Sequence, residues 1–266
     1  MKEISSLQNP LVKQILLLQS KSRERRKTGL FIIEGQREIQ LAIDSDYELQ
    51  TLLIEENKYK EGTDLFLEKN LGGTNFIKVT SNVYGKLAYR QNTEGLLAIA
   101  RAHDHTLENL VIEQKNPLLL IAEAPEKPGN IGALLRTADA AGVDAVIIAN
   151  PKTDLYNPNI IRSSVGCVFT NTVVMGSTND IISFLKEKEI PLYAASLEAS
   201  ACYSNIDFRE AAAIVVGTEA TGLEQEWLLS SKQNIIIPMQ GKIDSMNVSV
   251  AAAIIIFEAC RQRSFE

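Results

Sequence analysis

The sequence predicts an α/β protein in two parts, a small N-terminal α/β unit and a larger C-terminal unit with a parallel sheet covered by helices on both faces. Three observations carry this. Short apolar runs alternate with helix-length segments along most of the 266 residues. From Pro117 onward the runs are apolar at successive positions rather than at every second one, the pattern of strands buried on both faces. A polar stretch between the two series, residues 102–116, reads as a linker, giving units over residues 1–101 and 117–266.

In the first unit, Asn9-Pro10 caps and opens a helix that presents Leu11, Ile15 and Leu18 on one side and fades near Thr28-Gly29. "LFIIEG" reads as a strand, with a helix from about Gln36. "LQTLLIEE", "NFIKVT" and "GLLAIAR" supply further strands. In the second unit the strands are "LLLIAEA", "AVIIAN", "TNTVVM", "PLYAAS", "AAIVVG" and "NIIIP". Sheets of this kind bind ligands beyond the carboxyl ends of their strands, so the residues just after the runs matter most.

Composition narrows the class. Hydrophobic residues make up 45% and charged residues 23%, ordinary for a soluble globular chain. The start "MKEISSLQNPLVKQ" lacks the apolar core of a secretory signal. The longest apolar run, Val248 to Phe257, is about half a membrane span. The expectation is a cytoplasmic enzyme. Cys167, Cys202 and Cys260 are scattered without a CxxC, which argues against a disulfide framework or structural zinc. His103 and His105 flank Asp104 in the polar stretch, where further ligands are lacking, so no metal site is expected. The net charge of −6 hides an asymmetry: residues 1–30 carry +5 and the rest −11. A basic end suits a polyanion contact. A solvated helix face would have the same composition.

Three strand ends hold the candidate chemistry. After "LLLIAEA", Pro125, Pro128 and Gly129 make a turn, Asn130 stands where a helix would be capped, and Arg136 follows within two turns. An arginine there would equally pair with Asp139 or Asp144. "AAIVVGTEATGL" delivers Gly217, whose lack of a side chain lets backbone approach a ligand, and then Glu219. The spacing is not G-x-G-x-x-G, which weighs against a nicotinamide site. "IPMQGKIDSMN" ends the last strand and places Ser245 and Asn247 at the start of a helix apolar on nearly every side. Either residue alone reads as a helix cap.

Together, "PGNIGALLRTADAAG", "VVGTEATGL" and "IPMQGKIDSMNVSVAAAIIIFEA" resemble, in order and spacing, the three motifs of the SpoU/TrmH-type RNA 2′-O-ribose methyltransferases of the SPOUT superfamily. "GLFIIEGQREIQLAI" and "QNTEGLLAIA" are similar to the L30e-like substrate-binding domain of the ribosomal-RNA branch. The resemblance implies a C-terminal trefoil knot, S-adenosylmethionine as methyl donor, an RNA substrate (23S ribosomal RNA first, transfer RNA as the alternative) and a homodimer through the C-terminal domain. It implies that Gly217, Ile237, Met239 and Met246 frame the cofactor, while Asn130, Arg136, Glu219, Ser245 and Asn247 form the catalytic cluster. Met246 stands where leucine is commoner, and Glu94 where glutamine is. A non-catalytic RNA-binding protein of the same fold would have eroded Asn130, Arg136, Glu219 or Asn247. All four are present.

Overall fold

A computed structural model of the chain describes residues 2–55, 57–58, 72–89, 94–199, 201–217, 222–243 and 245–264. The chain forms two compact units. The first comprises residues 1–103 and 154–170, the second residues 104–153 and 171–266. Among the described residues, no helix is long and apolar enough to cross a membrane.

The first unit is built on a mixed sheet of β1 (Lys2–Ile4), β2 (Leu30–Glu34), β3 (Leu49–Ile54), β4 (Asn75–Val79) and β5 (Leu96–Arg101), in the order β1-β4-β3-β5-β2. β1 and β3 run parallel to β4, whereas β5 runs antiparallel to both β3 and β2. Four of these strands match the apolar runs. β1, three residues long, is too short to show a period. The expected single N-terminal helix is two helices, Pro10–Ser20 and Ser22–Thr28, broken at Lys21 in extended backbone (φ −123°).

Arg25 accounts for the break. Its guanidinium is buried, pairs with Asp154, and donates from Nη1 to the carbonyls of Leu18 (2.5 Å) and Gln19 (3.2 Å). Those carbonyls lie in the last turn of the first helix, where partners are otherwise lacking. In one continuous helix a residue seven positions downstream would lie about 10 Å away along the axis, beyond such a contact. One of the seven N-terminal cations is therefore structural, while Arg23, Arg26 and Lys27 are exposed.

β2 is apolar on both faces. Ile32 packs with Val12, Ile15 and Leu18, while Phe31 stacks on Tyr156 (4.0 Å between centroids) and on Phe169 (6.0 Å). The second contact explains why residues 154–170, expected in the C-terminal unit, group with the first. They share with Tyr47 the covering of the β2 face that carries Phe31.

In the second unit β6 (Leu118–Glu123), β7 (Ala145–Ala149), β8 (Val173–Gly176), β9 (Leu192–Ala195), β10 (Ala201–Cys202), β11 (Ala212–Val216) and β12 (Gln233–Ile236) form one parallel sheet. The order is β10-β12-β9-β11-β6-β7-β8. Every residue of β6, β7 and β11 is buried, and all but Glu123 at the end of β6 are apolar, as strands covered on both faces require. The polar stretch expected as a linker contributes to this unit: Leu110 is buried in its core, and Thr106 bridges to Met175 beside β8. Polar neighbours mask those few anchoring residues in the sequence.

The last helix, Val248–Gln262, packs along the helix Pro128–Ala141 and against β11, burying Ala252, Ile255, Ile256 and Ala259. Arg263 fixes its far end by donating to the carbonyls of Phe208 (2.8 Å), Asn116 (2.7 Å) and Glu210. Val250 and Phe257 remain 50% and 38% exposed on this helix.

Candidate active site

Glu123 ends β6, and Ala124 follows at φ +40°, a left-handed conformation that a side chain disfavours. The chain there leaves the sheet abruptly. Pro128 opens the next helix, where its missing N–H is no loss, and Gly142 at φ +64° closes it. Asn130 is thus inside the first helical turn, not at the cap. Its Oδ1 accepts from Asn247 Nδ2 (3.1 Å). Asn247 is itself a cap: its Oδ1 accepts from Ser249 N (2.9 Å) and Ser249 Oγ (2.6 Å). Two strand-end segments 117 residues apart are joined by one amide pair.

The ends of β9, β11 and β12 and the start of the last helix border a solvent-open cavity of about 540 Å³. Gly217, Ile237, Met239 and Met246 all line it, and so does Ser245. A second cavity of about 340 Å³ carries Asn130, Lys127 and Lys152. The two share Val216, Gly217, Gly222 and Val248. Gly217 is required here. A Cβ on it would come within 2.8 Å of Gly222 C and of Leu223 N, both backbone atoms.

Arg136 is exposed and lines neither of these cavities. Six residues of helix place it about 240° around the axis from Asn130 and about 9 Å along it. Glu219 lies outside the described residues. Ser196, Leu197 and Glu198, which are not among the residues expected from the motifs, also line the larger cavity directly after β9. The signal was present, since "PLYAAS" is itself a strand and its carboxyl end belongs to the same edge.

The larger cavity suits an adenosine-containing ligand. Its volume falls in the ordinary ligand range. Apolar side chains such as Ile237, Met239 and Ile255 offer a wall for a purine, Gly217 admits close backbone approach, and Glu198 supplies an acceptor for ribose hydroxyls. Sheet and cavity together define an α/β protein with a ligand-sized site at the carboxyl edge of its parallel sheet.

The chain belongs to the SpoU rRNA methylase family, whose model matches residues 117–257. The model of an MRM3-like substrate binding domain matches residues 9–98. A 23S rRNA (guanosine(2553)-2′-O)-methyltransferase of Bacillus subtilis is 30% identical, over 97% of this chain and 98% of its own length. The crystal structure of an RNA 2′-O ribose methyltransferase superposes with a TM-score of 0.86 at 37% identity, covering 98% of this chain and 99% of the other. An AdoMet-bound rRNA methyltransferase from Sinorhizobium meliloti superposes at 0.89, with 28% identity over 98% and 97%.

Proposed function

We propose that the chain transfers a methyl group from S-adenosylmethionine to a ribose 2′-hydroxyl of 23S ribosomal RNA. The observation that carries the reading is the meeting of Gly217, Ile237, Met239, Ser245 and Met246 in one cavity, which shares Gly217 with a second cavity holding Asn130. When bound, S-adenosylmethionine supplies a methyl group already activated by its sulfonium. The protein's tasks are to align a ribose oxygen and to manage one proton. Gly217 backbone with Ile237, Met239 and Met246 supports the cofactor. Ser245 and Asn130, the latter steadied by Asn247, orient the ribose. Arg136 is assigned to the RNA, where a guanidinium stabilises negative charge on a ribose oxygen without accepting the proton. The family resemblance alone adds Glu219 to the catalytic residues.

The division of labour is part of the proposal: residues 1–101 engage RNA, and residues 117–266 bind cofactor and catalyse. So are the homodimer and the trefoil knot. Exposed Val250 and Phe257 on the last helix favour a two-fold, self-complementary contact. The return of the chain from β12, near one sheet edge, to a helix packed on β11 and Pro128–Ala141 favours a threaded crossing. The same reading makes the protein cytoplasmic.

The test is to map 2′-O-methyl positions in total RNA from cells with and without the protein. One position in 23S ribosomal RNA is expected to lose its methyl group. Loss in a transfer RNA instead would move the substrate, and identical maps would remove the activity.

A further inference from the structure

Position 123 lies on the same face of β6 as Leu119 and Ile121, both buried in the core. Packing alone would place a third apolar residue there. Instead Glu123 is 2% exposed, and three neutral donors meet its carboxylate. Asn150 Nδ2 donates to Oε1 (3.0 Å), while Trp227 Nε1 (2.6 Å) and Thr178 Oγ1 (3.3 Å) donate to Oε2. Asn150 Nδ2 also donates to Thr178 Oγ1 (2.8 Å), which leaves the threonine proton for the carboxylate. Burying a carboxylate is unfavourable by several kcal/mol unless donors satisfy it. Here the donors come from three segments: the turn after β7, the first turn of helix Thr178–Glu187, and helix Gln225–Ser230.

The Trp227 bond points to function. Trp227 is wholly buried. Just before it, Gly222 borders both cavities, Leu223 and Gln225 line the larger, and Glu224 lines the smaller. Leu228, the next residue, lines the larger again. One side-chain bond therefore ties this wall to the end of β6.

We propose that Glu123 is a positioning residue for the cofactor, holding Trp227 and through it the Gly222–Leu228 wall in the register that shapes the larger cavity. This rests on the assignment of that cavity to S-adenosylmethionine. Trp227 is the only tryptophan in the chain, so its emission reports on the bond.

S-adenosylhomocysteine is titrated by calorimetry into the wild-type protein, Glu123→Gln, Trp227→Phe and the double variant, with emission followed where Trp227 remains. Wild-type emission is expected to shift on saturation. Each single variant is expected to keep its circular dichroism and bind about tenfold more weakly, the scale of one hydrogen bond to a charged group. Glutamine keeps one acceptor oxygen but no charge, so Glu123→Gln weakens the bond that Trp227→Phe removes, and the double variant should bind no more weakly than the weaker single. Should Glu123→Gln not fold, Trp227→Phe carries the test, since it leaves the carboxylate with Asn150 and Thr178. A folded Trp227→Phe binding within twofold of wild type would overturn the proposal, even with a lowered melting temperature. Additive losses in the double variant would overturn it too. Absence of binding to wild-type protein would remove the cofactor reading and the proposal with it, whereas tight binding matched by the variants removes only the proposal.

Discussion

Asn247 uses both ends of one amide, accepting from Ser249 to start a helix and donating to Asn130. Its capping half is readable locally from "MNVS"; its bridging half depends on a residue far away in the chain. Gly217 differs, because a glycine directly after a buried strand already signals close backbone approach. Gly217→Ala should push Gly222 and Leu223 aside, lowering stability by about 1–3 kcal/mol and abolishing cofactor binding measured by calorimetry. Binding at wild-type affinity would mean that the turn yields freely. Arg136, off both cavities, should behave in the opposite way. Arg136→Ala is expected to bind S-adenosylmethionine normally yet transfer labelled methyl to RNA about a hundredfold more slowly. Near-normal turnover would take Arg136 out of the chemistry.

Secondary-structure elements were legible wherever an apolar run was long enough to declare itself. β1 and β10, of three and two residues, were not, because pairing rather than composition defines them. The break between the first two helices was also hidden. Arginine in a helical, basic stretch gives no sign that it turns inward to Asp154, 129 residues on. Arg25→Met would strand that buried carboxylate, and chemical denaturation should register a loss of about 3 kcal/mol or more. Neutralising exposed Arg23, Arg26 and Lys27 together should spare stability but flatten the salt dependence of RNA affinity. If the triple variant keeps the wild-type salt slope, those charges face solvent only.

At the scale of the molecule, the sequence declared a parallel sheet but not its order. Apolar runs mark strands and say nothing about which pair, so only the backbone pairing reveals β11 between β6 and β9. The last helix shows the same limit. Apolarity all round announced burial, yet one chain covers only part of it and leaves Val250 and Phe257 outward. Phe257→Asp is expected to convert a dimer to a monomer in sedimentation, with little change in circular dichroism. A wild-type protein that sediments as a monomer at micromolar concentration would refute the dimer.

Residues 154–170 bring the chain back to the first unit after the second has begun. A gene fragment ending at residue 116 would therefore encode an incomplete fold, with the ring of Phe31 deprived of Tyr156 and Phe169 and the guanidinium of Arg25 deprived of its anion. The two halves cannot be shuffled as separate cassettes by a single cut: a graft of the N-terminal module onto another enzyme would have to carry this seventeen-residue patch along.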